Sequence, residues 1–231
     1  MAMIINLEGV LTLAKRLVEE NPHNLNDSEN YLLHLSDTYL IAEEIVNGVI
    51  KIYPRLNERL ISEEVSLAAG LHDIGRSLRK NQLFHELRGA RYIEENGLEI
   101  GVTDSITDVY RIAQMFRPHY VVAEQFDDEE NKEEKKEFEP LDSRLLTPRT
   151  WQEAIVVYSE LSNVHGGRIP IQKRIDDIWE RYKDPKLNST NPSLLRCMKK
   201  GLPRVLETCE AVQKLVEGKL SEKDIARYGF I

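Results

Sequence analysis

Apolar residues along this chain recur every three or four positions rather than every second one, nearly from end to end. In YLIAEEIVNGVIKIYP, Leu40, Ile41, Ile45, Val49 and Ile52 form a stripe, and Pro54 closes the helix. Ser62 is the candidate N-cap of the next helix, with Glu63 and Glu64 in its first turn. HELRGARYIEENG reads as a helix ended by Asn96-Gly97. Thr103 or Asp104 is the candidate cap for DSITDVYRIAQMF, which stops before Pro118. TPRTWQEAIVVYSEL carries Pro148 near its start, and PIQKRIDDIWERY begins with Pro170. NPSLLRCMKKGLPRVLETCEAVQKLVEG is one long helix or a pair broken around Gly201 and Pro203, and SEKDIARYG adds a short last one. Sustained alternation is missing, so the expected fold is all-α, a single helical domain over 1–231.

Length adds that 231 residues suffice for a sizeable core. A net charge of -8 argues against a nucleic-acid-binding surface, which needs clustered Lys and Arg, but leaves room for a local basic pocket. No apolar run is long enough for a membrane span. In MAMIINLEGVLTLAKRLVEEN, Glu8, Lys15 and Arg16 interrupt the apolar stretch, so it reads as an amphipathic helix rather than a leader. Cys197 and Cys209 lack CxxC spacing and read as reduced thiols, which makes the cytoplasm the expected compartment. DDEENKEEKKEFEP, residues 127–140, has the composition of a solvated loop.

The candidate chemistry starts at LHDIGR, residues 71–76. EEVSLAAGL, before it, is helix material with small apolar residues that should be buried. His72 and Asp73 therefore arrive near the interior, where a carboxylate needs a cation or several donors. Consecutive helical side chains diverge by about 100°, so the two can share one ion only where the helix ends, and Gly75 supplies that ending. His34, His85 and His119 fall on neighbouring helices, whereas His23 and His165 lie in loops and read as exposed.

LAAGLHDIGRS resembles the His-Asp doublet of the HD-domain superfamily, all-α metal-dependent phosphohydrolases. HELRGARYIEENG, RIAQMFRPHY and AIVVYSELSNVHGGRIPIQKRIDDIWERY resemble the segments that follow it there, so the resemblance spans about residues 30–185. It implies an HD-like helical bundle, with the N-terminal and C-terminal helices packed on it. The implied metal ligands are Asp37, His72, Asp73 and Glu160, with His34 as the alternative to Asp37. Asp37 stands where the family has a histidine, and Glu160 where it has an aspartate. With three carboxylates, that set favours Mn or Mg, although Fe, Co and Ni remain candidates. Asp73, His85 and His119 are the implied catalytic residues, the two histidines as proton donors, pocket residues or ligands of a second ion. Arg76 and Lys80 are the candidate phosphate-binding residues, Arg117 a weaker one; Arg168, Arg174 and Arg181 read as structural ion-pair residues. The implied activity is hydrolysis of a small phosphate ester, a nucleotide by first choice; the alternative is a non-catalytic ligand-binding or regulatory protein on a decayed HD scaffold.

Overall fold

The computed structural model describes residues 5–164, 167–188, 191, 193–226 and 228–229; His165 lies outside them. The protein is all-α. In chain order the helices are α1 (Leu7–Glu20), α2 (Ser28–Ile52), α3 (Ser62–Leu71), α4 (His85–Asn96), α5 (Ile106–Phe116), α6 (Val122–Phe126), α7 (Lys132–Lys135) and α8 (Trp151–Leu161). A two-residue hairpin, β1 (Asn163–Val164) and β2 (Gly167–Arg168), precedes α9 (Ile171–Tyr182), α10 (Pro185–Asn188), α11 (Leu194–Val216) and α12 (Glu222–Ile225). α11 runs unbroken through Pro203.

α3 is the central element. Every residue from Glu64 to Leu71 is buried, and α2, α5 and α8 pack around it. The sequence SLAAG permits this because its small side chains let neighbours approach; a Cβ on Gly70 would stand 3.1 Å from Tyr39 and 3.3 Å from Val10. One apolar cluster joins α1, α2, α3, α4, α5, α8, α11 and α12, from Val10 to Ile225. The helices at both ends of the chain thus share the core of the central ones.

Local signals fixed element type better than detail. Leu40 and Ile52, placed in the α2 stripe, are 47 % and 46 % exposed, while Leu35, Ala42 and Val46 face the core. Ser105 rather than Thr103 or Asp104 caps α5, its hydroxyl accepting from the Asp108 N–H. Ile61 stands at the N-cap of α3, with no side-chain cap, and Ser62 is the first helical residue. α8 opens on a capping box of Thr150 and Glu153, beyond Pro148. Residues 127–140 depart most from their composition. Asp128, Asn131 and Phe138 are buried, Asp128 pairing with Arg196 at 2.7 Å and Phe138 packing edge-on against Phe84. Three anchors in an otherwise charged run hold it down, and average composition cannot register them.

Candidate metal centre and its cavity

The end of α3 sets the geometry. His72 closes the helix, and a single 3-10 turn, Ile74–Arg76, follows. That turn lies against the start of α4 at glycine-to-glycine distance. A Cβ on Gly75 would fall 1.9 Å from the His85 carbonyl oxygen and 2.7 Å from the Gly89 nitrogen. α3 thus ends at the doublet itself, before Gly75, and Gly75 instead lets α4 carry His85 up to it.

His72 is fully buried and Asp73 is 3 % exposed. His72 Nδ1 donates to the Ala69 carbonyl at 2.6 Å. Its Nε2 is therefore the free nitrogen, and it lies 3.2 Å from His34 Nε2 of α2. Asp73 Oδ1 is 2.8 Å from His85 Nε2, while Arg76 Nε donates to Asp73 Oδ2 at 2.6 Å. His85 Nδ1 donates to the Gln82 carbonyl at 2.7 Å, and its Nε2 faces the carboxylate. Glu86, beside His85, sends Oε1 to within 3.2 Å of His119 Nδ1. That contact is an ion pair too poorly aligned to count as a hydrogen bond, since both His119 nitrogens lack an aligned partner. His119 stacks on His72, ring centres 5.1 Å apart. From α8, Glu160 reaches to 3.9 Å from His119 Nε2.

Ligand-type atoms converge here in three overlapping groups, each within 4.8 Å: His34, His72 and Glu160; His72, Asp73 and His119; His85, Glu86 and His119. These buried groups have the composition and spacing to hold a metal ion. Asp37, the first choice for one position from the sequence, joins none of them, whereas His34 does. The reason is axial: three residues along α2 move a side chain about 4.5 Å. Asn163 of β1 donates to the His34 carbonyl at 3.1 Å and lies 3.3 Å from His34 Nδ1, tying the imidazole to the hairpin.

The electrostatics are those of charges buried together. Burial works to raise the Asp73 carboxyl, but Arg76 and the His72 and His85 imidazoles hold it well below the usual carboxylate range. Burial pushes the His34 and His72 imidazoles below the ordinary histidine value. His119 goes the other way: against the cost of burial, Glu86 and Glu160 hold it up at about 9. Glu86 is likewise held at about 2, against burial, by His85 and His119.

The cluster forms one end of a cavity of about 330 Å³, walled by the chain before and within α2, the turn after α3, the start of α4, and α9. Arg76 and Lys80 both line it, the first half-buried and the second exposed. His23 is exposed and contributes to the same wall. Arg117 is turned away to Glu94 and Gln114. Arg168 pairs with Glu44 at 3.4 Å and Arg181 with Asp177 at 3.0 Å, and Arg181 also lines the cavity. Arg174 makes the ion pair expected of it, to Asp177 at 3.1 Å, and it is a cavity residue as well. Sequence reasoning missed Glu86 and Asn163. Glu86 had a signal, since His85-Glu86 at the start of α4 parallels His72-Asp73 at the end of α3; Asn163 had none.

Comparison with protein-family models, with curated proteins and with solved structures finds no match for this chain. Among the described residues, no helix is long and apolar enough to cross a membrane.

Proposed function

We propose that the chain is a metal-dependent phosphohydrolase of the HD-domain kind, acting on a small phosphate ester of nucleotide size. The observation that carries this reading is the convergence of four imidazoles and three carboxylates beyond the end of α3, of which His34, Asp73, His85, Glu86 and Glu160 line the cavity while His72 and His119 are buried outside its lining. A fold does not bury such a set cheaply without something to share. The donor chemistry fits a divalent ion. His34 and His72 point ring nitrogens at each other, and Glu86 Oε2 and Glu160 Oε2 are buried without a hydrogen-bond partner. A cation among His34, His72 and Glu160 would satisfy the Glu160 oxygen, and one among His85, Glu86 and His119 the Glu86 oxygen.

With His34 in place of Asp37, the set becomes His34, His72, Asp73 and Glu160, two nitrogens and two carboxylates. That moves the preference from Mg toward Mn, Fe, Co or Ni. A divalent ion there supplies Lewis acidity and lowers the pKa of water so that hydroxide is available near neutral pH. The chain's own residues do the rest. Arg76 spends only Nε on Asp73 and keeps its other N–H groups for phosphate oxygens, with Lys80 as a second cation. His119, held protonated between Glu86 and Glu160, would position those two carboxylates from outside the cavity lining.

The test is elemental analysis of protein purified without chelator, wild type beside the His72→Ala, Asp73→Ala double variant. Near-stoichiometric Mn, Fe, Co or Ni that vanishes in the variant is expected, together with loss of hydrolysis on a panel of phosphate esters and unchanged helical circular dichroism. No metal in either protein, even after a Mn soak, would replace this reading with that of a ligand-binding protein.

A further inference from the structure

A second set of polar atoms beside the cluster is not accounted for by metal ligation. The Tyr120 hydroxyl and Arg174 Nε are both buried with no hydrogen-bond partner among the described residues. The Tyr120 side chain belongs to the segment that carries His119, while Arg174 lies in the first turn of α9. Both residues line the cavity with Glu160 between their elements. His34 and Arg76 line the same cavity, so these groups surround one space. The Arg174 side chain is 12 % exposed, and its nearest approach to Glu160 is long, 3.8 Å. Among the described residues its close partner is Asp177, at 3.1 Å.

Arg174 therefore does more than make a surface ion pair. A guanidinium held by Asp177 at one nitrogen is fixed in orientation, and its Nε–H is left without an acceptor. The Tyr120 phenol, lining the same cavity, is in the same condition. Burying two donors unpaired is costly unless a ligand's acceptor completes them. Their common complement is an oxygen-rich anion. Arg76 presents the remaining donors from the turn after α3, a different element.

We propose that Tyr120 and Arg174 form an oxyanion seat at the α9 side of the cavity, binding two oxygens of a tetrahedral phosphate group while Arg76 holds a third. The seat itself rests on the cavity's donors; that the phosphate is the one being hydrolysed rests on the reading above.

The experiment is calorimetric titration of inorganic phosphate into Mn-soaked and, in parallel, chelator-treated protein. Wild type is compared with Tyr120→Phe and Arg174→Gln. Each variant should lose about tenfold or more in phosphate affinity, the effect of removing one hydrogen bond to a charged group. Wild-type affinity in either variant overturns the seat, and so does absence of phosphate binding by wild type in both conditions. If circular dichroism shows Arg174→Gln misfolded, Tyr120→Phe decides alone, because it removes only a hydroxyl that has no partner in the fold. The two readings fail separately. Phosphate binding that the variants weaken, in a protein that takes up no metal, retains the seat and removes the hydrolase. Metal uptake and hydrolysis with unaltered phosphate affinity in the variants does the reverse.

Discussion

The two ends of α3 each bury a carboxylate, and they treat it differently. At the first turn, Glu64 is 4 % exposed and is gripped by Arg111, whose Nε donates at 2.7 Å while Nη2 takes the other oxygen. Arg111 is steadied in turn by Asp108. That arrangement is closed: one fork meets one carboxylate. Just past the last turn, Asp73 gathers imidazoles from two other helices and an arginine, and its neighbours Glu86 and Glu160 keep oxygens with no hydrogen-bond partner among the described residues. Burial of charge is common to both ends. Incomplete pairing separates them, and it is the better marker of a site built for something else.

The difference can be tested by substitution. The largest effect is expected at Gly75, on which the second arrangement depends. Gly75→Ala puts a methyl 1.9 Å from the His85 carbonyl oxygen, against backbone that cannot step aside. The turn and α4 must separate, which should cost about 4 kcal/mol or more and remove metal uptake together with cooperative thermal unfolding. Gly89→Ala should be milder, its nearest neighbours lying at 3.0 Å. A Gly75→Ala protein with wild-type melting and metal content would show that the close approach is not required.

Next comes the contrast itself. Arg111→Ala leaves Glu64 buried and unpaired, so about 3 kcal/mol should be lost, a fall of roughly 6–12 °C in the thermal midpoint. Glu160→Gln, at the other end, removes a carboxylate that has an oxygen with no hydrogen-bond partner among the described residues, and should change the metal-free stability by less than about 1 kcal/mol. It should nonetheless abolish metal uptake. Equal destabilisation by the two variants, with metal content intact in Glu160→Gln, would erase the distinction.

The smallest effect is a pH dependence of the metal-free protein. His119 titrates near 9 in the fold against 6.5 ordinarily. Its contribution to stability is fully present below pH 6.5 and is lost as pH rises through 9. Glu86, at about 2 against 4.5, contributes above pH 4.5 and loses its share as pH falls toward 2. Thermal midpoints in chelator, compared between wild type and His119→Gln, should therefore converge as pH rises from 6.5 to 9. A constant gap across that range would contradict the Glu86–His119 pairing.

Much of this was legible in the chain. Three-and-four spacing gave the helices, because an amphipathic helix must repeat its apolar face at that period whatever it packs against. LHDIGR marked the site because two polar side chains at the end of a small-residue helix have no inexpensive place to go. Cap positions were less legible, since Thr103, Asp104 and Ser105 are all capping residues and only the direction in which the chain enters α5 chooses among them.

What the sequence by itself determined is therefore the inventory: helix count in outline, a buried doublet, and histidines spaced to meet it. Tertiary structure decided membership. His34 and Asp37 share a face of α2, and only the level at which α2 crosses α3 selects the histidine. Glu86, Arg174 and Asn163 are separated from the doublet along the chain or lie on its far elements, and packing alone brings Glu86 and Arg174 to its cavity and Asn163 to His34. Periodicity fixes which way a side chain faces along its own helix; the axial offset between two packed helices is set by how their surfaces interlock, and no local pattern records it.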